Sequence, residues 1–131
     1  RVFGAFTTAE RLAQWWGPAG FTIPAIDFDP RVGRSYRIEM QPPEGDPFAL
    51  IGEFQAVEPP EHLAFEFIWE QPDPDDVDML DELSFEDRRE STLVALRQRP
   101  FRTEARRQLH HDGWNETLDK LAAWLETAGA A

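Results

Sequence analysis

The chain has 131 residues, no cysteine and a formal net charge of −12 at pH 7. At this length a single domain is expected over residues 1–131, burying roughly two-thirds of the surface its unfolded chain exposes. The charge argues against nucleic acid, the cysteine count excludes disulfides and thiolate metal sites, and no apolar run reaches the roughly 20 residues of a membrane span.

Near the N-terminus, Phe3 and Phe6 read as the end of a first short helix. Thr7-Thr8-Ala9-Glu10 has the form of a capping box, which predicts a second short helix starting at Thr7 and closed by Gly17-Pro18. Trp15 and Trp16 stand side by side before that stop. Adjacent helical residues point about 100° apart, so one core cannot hold both rings in the same way. Continued helical phase sends Trp16 to the buried side with Phe3, Phe6 and Leu12, and turns Trp15 either to the surface or, as the favoured expectation, towards a second apolar compartment at the rim of a cavity.

From Phe21 the period changes to two. Strands are predicted over 23–29, 34–41, 48–58, 62–70, 79–86 and 91–98, separated by short turns rich in Pro and Gly. Such spacing fits an antiparallel meander. One face collects Tyr36, Ile38, Met40, Phe48, Leu50, Phe54, Leu63, Phe65, Phe67, Trp69, Leu83, Phe85, Val94 and Leu96; the other carries Arg37, Glu39, Glu53, Glu66 and Arg97. A sheet with one apolar face must be covered. Gly52 falls on the inward side, where a missing side chain permits a bend or a close approach.

Residues 70–90 hold ten acids, Asp81 among them, and read as a solvated acidic loop. Arg97, Arg99, Arg102, Arg106 and Arg107 follow as a basic counterpart. The cover for the sheet is a helix predicted over 103–128, with His110, Trp114, Leu118, Leu121 and Leu125 on one stripe. Gly113 beside Trp114 would leave room for a ring or a bound molecule.

In this order, "VFGAFTTAERLAQWWGP", "DFDPRVGRSYRIEM", "GEFQAVEPPEHLAFEFIWE", "STLVALRQ" and "HHDGWNETLDKLAAWL" resemble the activator of heat-shock-protein-ninety ATPase homologue family. That family belongs to the START-like, birch-pollen-allergen-like (SRPBCC) helix-grip superfamily. The resemblance implies an α+β fold: a curved antiparallel sheet wrapped around a long C-terminal helix, with two short N-terminal helices and a cavity between sheet and helix. It also implies a strand ahead of the first helix, whereas this sequence opens inside that helix. Gly33-Arg34 and Gln98 depart from the family pattern, Gln98 standing where a histidine is common.

Three functions follow as expectations. The first is non-enzymatic binding of a hydrophobic or amphipathic small molecule in a cavity lined by Trp15, Tyr36, Ile38, Met40, Phe54, Phe67, Trp69, Gln98, His110, Gly113, Trp114 and Leu118. Of these, Tyr36, Gln98 and His110 would orient the ligand. The second is a co-chaperone-like module docking another protein through the acidic loop and the arginines. The third is a cyclase- or dehydratase-like enzyme, with Glu10, Glu116 and His110 as acid–base candidates. No nucleophile elbow, phosphate loop, dinucleotide fingerprint, EF-hand or zinc spacing occurs, so no catalytic residue, cofactor or metal is assigned. A cytoplasmic monomer, or a homodimer through an edge strand, completes the expectation.

Overall fold

The computed structural model describes residues 2–128; residue 1 and residues 129–131, the ends of the expected 1–131 span, lie outside the described residues. Two short helices, α1 (Val2–Thr7) and α2 (Ala9–Leu12), precede six strands: β1 (Thr22–Phe28), β2 (Ser35–Gln41), β3 (Phe48–Glu58), β4 (His62–Trp69), β5 (Met79–Asp87) and β6 (Thr92–Arg99). A long helix, α3 (Glu104–Ala128), follows. The strands form one curved antiparallel sheet in chain order, each hairpin pairing with the next. The helix-grip architecture expected from the sequence is therefore present.

The N-terminal capping box does not form. Thr7 is still inside α1, where its hydroxyl donates back to the Phe3 carbonyl at 3.0 Å, and Thr8 takes the N-cap position of α2 without a side-chain bond. A threonine already in helical conformation satisfies its hydroxyl on the preceding turn instead of capping the next one.

The inward residues of β2 to β5 are those the alternation picked out: Tyr36, Ile38, Met40, Leu50, Phe54, Leu63, Phe65, Phe67, Leu83 and Phe85 are all buried. At the end covered by α1 and α2 the interior is solid. Phe3 and Phe6 meet Phe85 edge-on at 5.2 and 5.3 Å, and Tyr36, Phe54 and Phe65 meet one another tilted or edge-on at 5.5–6.0 Å.

Gly52 shows the close approach anticipated for it. It pairs with Tyr36 across β2 and β3, and the Tyr36 hydroxyl reaches over it to donate to the Glu66 carbonyl of β4. A Cβ at Gly52 would stand 2.9 Å from the Tyr36 ring and closer still to the Glu66 carbonyl. Gly52→Ala should therefore cost about 1–3 kcal/mol through overpacking, read as a lower urea midpoint; an unchanged midpoint would contradict the contact. Nearby, a bulge between Phe54 and Ala56 shifts the β3–β4 register and bends the strand.

Candidate functional site

The helix α3 faces the apolar side of the sheet with His110, Trp114, Thr117 and Leu121, all buried. The spacing of four, three and four residues is that of a single helical face. Thr117 replaces Leu118 on this stripe; its hydroxyl donates to the Gly113 carbonyl at 2.8 Å, which makes a polar residue tolerable there, and Leu118 is only half-buried at the margin.

Beyond the solid end, sheet and helix part to leave an open cavity of about 660 Å³. Its walls are Trp16, Met40, Phe67, Trp69 and Trp114, with His110 and Gly113 from α3. The edge-on contact of Trp16 with Trp114 (5.3 Å, 88°) forms one side, and Phe67 against Trp69 (5.2 Å, 86°) the other.

The turn after the tryptophans forms the mouth. Gly17 has φ of 89°, and a Cβ there would come within 3.1 Å of Phe21, so only glycine fits comfortably. The Lys120 ammonium of α3 donates to the carbonyls of Trp16, Gly17 and Pro18 at 3.1–3.2 Å, and the Ala19 amide donates to Glu116 at 3.1 Å. Burial lowers the Lys120 pKa, with Glu116 acting against it. These bonds fix the turn to the helix, so this wall of the cavity is held from both ends.

The rim is acidic. Asp73, Asp76, Asp112 and Glu116 line it with Arg106 as the sole basic residue. Arg106 is bound to the loop acids, 3.1 Å from Asp73 and 3.6 Å from Asp76. Two further arginines of the basic run are paired within the chain. Arg107 pairs with Glu104 on its own helix, and Arg99 faces Glu82 across β5 and β6.

Of the residues named for a cavity from the sequence, Met40, Phe67, Trp69, His110, Gly113 and Trp114 line this one. Tyr36, Ile38 and Phe54 do not: they surround a void of only about 10 Å³ in the solid half. Trp15 and Trp16 exchange the roles assigned to them. Trp15 is fully buried, its ring edge-on to Phe6 at 4.7 Å and its indole N–H donating to the Ala5 carbonyl at 3.2 Å, whereas Trp16 lines the cavity. The cause is local. α2 stops at Leu12, and the amides of Trp15 and Trp16 both return to the Leu12 carbonyl in a tightening turn, so the helical phase used to place the rings does not persist.

Two of the three proposed ligand-orienting groups are occupied elsewhere. The Tyr36 hydroxyl is held by the Glu66 carbonyl, and burial together with the charges of Asp81 and Glu66 raises its pKa. Gln98 donates through its Nε2 to Asp81 Oδ1 at 2.7 Å and presents its carbonyl oxygen to His110 Nδ1 at 3.0 Å.

Asp81 itself overturns its assignment to the solvated loop. It lies inside the sheet, fully buried, with Oδ2 the one sealed side-chain N or O atom among the described residues that lacks a partner. Burial pushes its pKa well above the ordinary value, against the pull of the Gln98 hydrogen bond. His110 rests among Phe67, Trp69 and Phe101, and burial lowers its pKa, with the charge of Asp76 opposing and that of Arg106 assisting.

Of the three acid–base candidates, His110 and Glu116 border the cavity and Glu10 does not. Glu10 is exposed on α2, outside the cavity lining, while Glu116 sits at the rim bonded to Ala19. No helix among the described residues is long and apolar enough to cross a membrane.

Residues 1–126 match the family described as Activator of Hsp90 ATPase homolog 1-like protein. No curated protein matches the chain. Among solved structures, the AHSA1 protein from Silicibacter pomeroyi is 27% identical with a TM-score of 0.85, over 97% of this chain and 89% of that one. A protein from Chromobacterium violaceum superposes with a TM-score of 0.86 at 24% identity, over 95% and 87%. Another from Nitrosomonas europaea gives 0.80 at 24%, over 99% and 88%. The last two are likenesses of fold.

Proposed function

This chain belongs to the family of Activator of Hsp90 ATPase homolog 1-like proteins, and from that premise we propose that it is a non-enzymatic binding module for a hydrophobic or amphipathic small molecule. The family and its fold are in general those of ligand-binding or co-chaperone-like modules. What favours the ligand is the cavity: about 660 Å³, open to solvent, and walled by three tryptophans, a methionine and the phenylalanines Phe21, Phe48 and Phe67. Sites of this size and apolar lining are where small molecules bind. Docking through the arginines has less support, because Arg99, Arg106 and Arg107 are each engaged within the chain.

Gly113 supplies the test. It lines the cavity, and a Cβ there would meet only Pro18, at an ordinary 3.7 Å. Gly113→Leu should therefore fold, gaining up to about 1 kcal/mol of helix propensity, while its side chain fills the mouth. With the uncharged fluorescent probe N-phenylnaphthylamine, the parent should bind at one-to-one stoichiometry, and Gly113→Leu should bind at least about tenfold more weakly. A parent that leaves the probe unbound, or a variant that binds it equally well, overturns the reading.

A further inference from the structure

We infer that the Nε2 atom of His110 accepts a hydrogen bond inside the cavity, so that the ligand is an uncharged apolar molecule carrying a hydroxyl or N–H donor. The inference rests on the binding function just proposed and specifies its ligand.

Its basis is a relay that fixes which imidazole nitrogen is bare. Gln98 donates to Asp81 Oδ1 and thereby turns its carbonyl oxygen to His110 Nδ1. An oxygen there requires that Nδ1 carry the proton. Burial favours the neutral ring, which has a single N–H, and with that proton on Nδ1 the Nε2 atom is left with a lone pair. The arrangement tolerates either charge state of Asp81, because a carboxylate and the carbonyl oxygen of a carboxylic acid both accept from Gln98. The reversed amide would require the acid form to donate.

The Nε2 atom has no hydrogen-bond partner among the described residues. It is not sealed either, since Asp81 Oδ2 alone is both buried and unpartnered, and His110 borders the cavity. An acceptor in an apolar cavity calls for a donor on whatever enters. The charge of the rim narrows the class further. Asp73, Asp76, Asp112 and Glu116 stand at the rim with Arg106, whose charge the first two already pair. A carboxylate ligand would meet that field and would also oppose a lone pair with lone pairs.

Four probes of one shape decide it by calorimetry: naphthalene, naphthol, methoxynaphthalene and naphthoate. Naphthol should bind about tenfold more tightly than naphthalene or methoxynaphthalene, the equivalent of one well-made hydrogen bond, and naphthoate more weakly than naphthalene. His110→Phe should retain naphthalene binding and reduce the naphthol advantage to within about twofold. Nitrogen NMR of the parent imidazole, which needs no variant, should show Nδ1 protonated and Nε2 bare, with naphthol shifting the Nε2 resonance. Naphthalene binding without a preference for naphthol, a preference for methoxynaphthalene, an advantage that survives His110→Phe, or a protonated Nε2 overturns the inference while leaving the binding function intact. Failure of every probe to bind the parent would overturn the binding function, and the inference with it.

Discussion

Trp15→Ala should lower the unfolding free energy by about 3–5 kcal/mol, the range for removing a fully buried aromatic ring from a packed interior. Trp15 is fully buried and is the largest side chain of the solid end of the fold. Its removal leaves a void beside Phe6 and an Ala5 carbonyl without its indole donor. Trp16→Ala should cost clearly less, because one side of that ring already borders open space and its loss widens a cavity rather than creating one. The binding readout should run the other way. Trp16→Phe is expected to alter the fluorescence response to N-phenylnaphthylamine, and Trp15→Phe to leave it as in the parent. Guanidinium unfolding of the alanine variants checks the first contrast, and titration of the phenylalanine variants the second. Equal stability losses, or a ligand response that follows Trp15, would mean that the two compartments are not divided as described.

The second large effect is a dependence on pH centred on Asp81. Burial raises its folded-state pKa above the unfolded value near 3.8, so between these two values the folded protein holds a proton that the unfolded chain has released. Stability from this group is complete below the unfolded pKa and declines as pH rises towards the folded one, with a limiting slope of about 1.4 kcal/mol per pH unit. Above the folded value the loss is constant. Asp81→Asn keeps an acceptor for Gln98 and removes the titration. The difference in urea-unfolding free energy between variant and parent should therefore grow with pH from about pH 4 upward, in the variant's favour. Taking the difference matters, because His110 acts with the opposite sign: its lowered pKa makes the folded state lose stability as pH falls below 6.5. Parallel curves for the two proteins would show that Asp81 does not titrate on unfolding.

The same residue shows how far the sequence could be read. Met79, Asp81, Leu83 and Phe85 alternate along β5 and face inward together. The period-two pattern that placed Leu83 and Phe85 inside also places Asp81 there. The signal was present, but ten acids in a short stretch read as a solvated run. Charge density describes an average over a segment, whereas burial is decided one residue at a time by strand parity. Thr117 was missed for a related reason: its polarity concealed its place on the stripe, where a hydroxyl bonded to Gly113 sits as easily as a leucine.

The tryptophan pair marks another boundary. That Trp15 and Trp16 point apart followed from geometry, since adjacent side chains on a turn diverge; that neither ring is left on the surface was decided by the tertiary structure. Which ring entered which compartment depended on where α2 ended, and residue letters do not fix a helix end to within one turn.

By itself the sequence determined the order of the elements, the inward and outward faces of the strands, and the need for α3 as a cover. All of these depend on periodicity, which a chain carries in its own spacing. Only the tertiary structure decided that the space beneath α3 is solid at the α1–α2 end and open at the other. Only it joined Asp81, Gln98 and His110, which come from β5, β6 and α3, into one relay. Such outcomes depend on the distance between elements remote in sequence, set by the curvature of the sheet and the seating of the helix, and no local pattern along the chain encodes that distance.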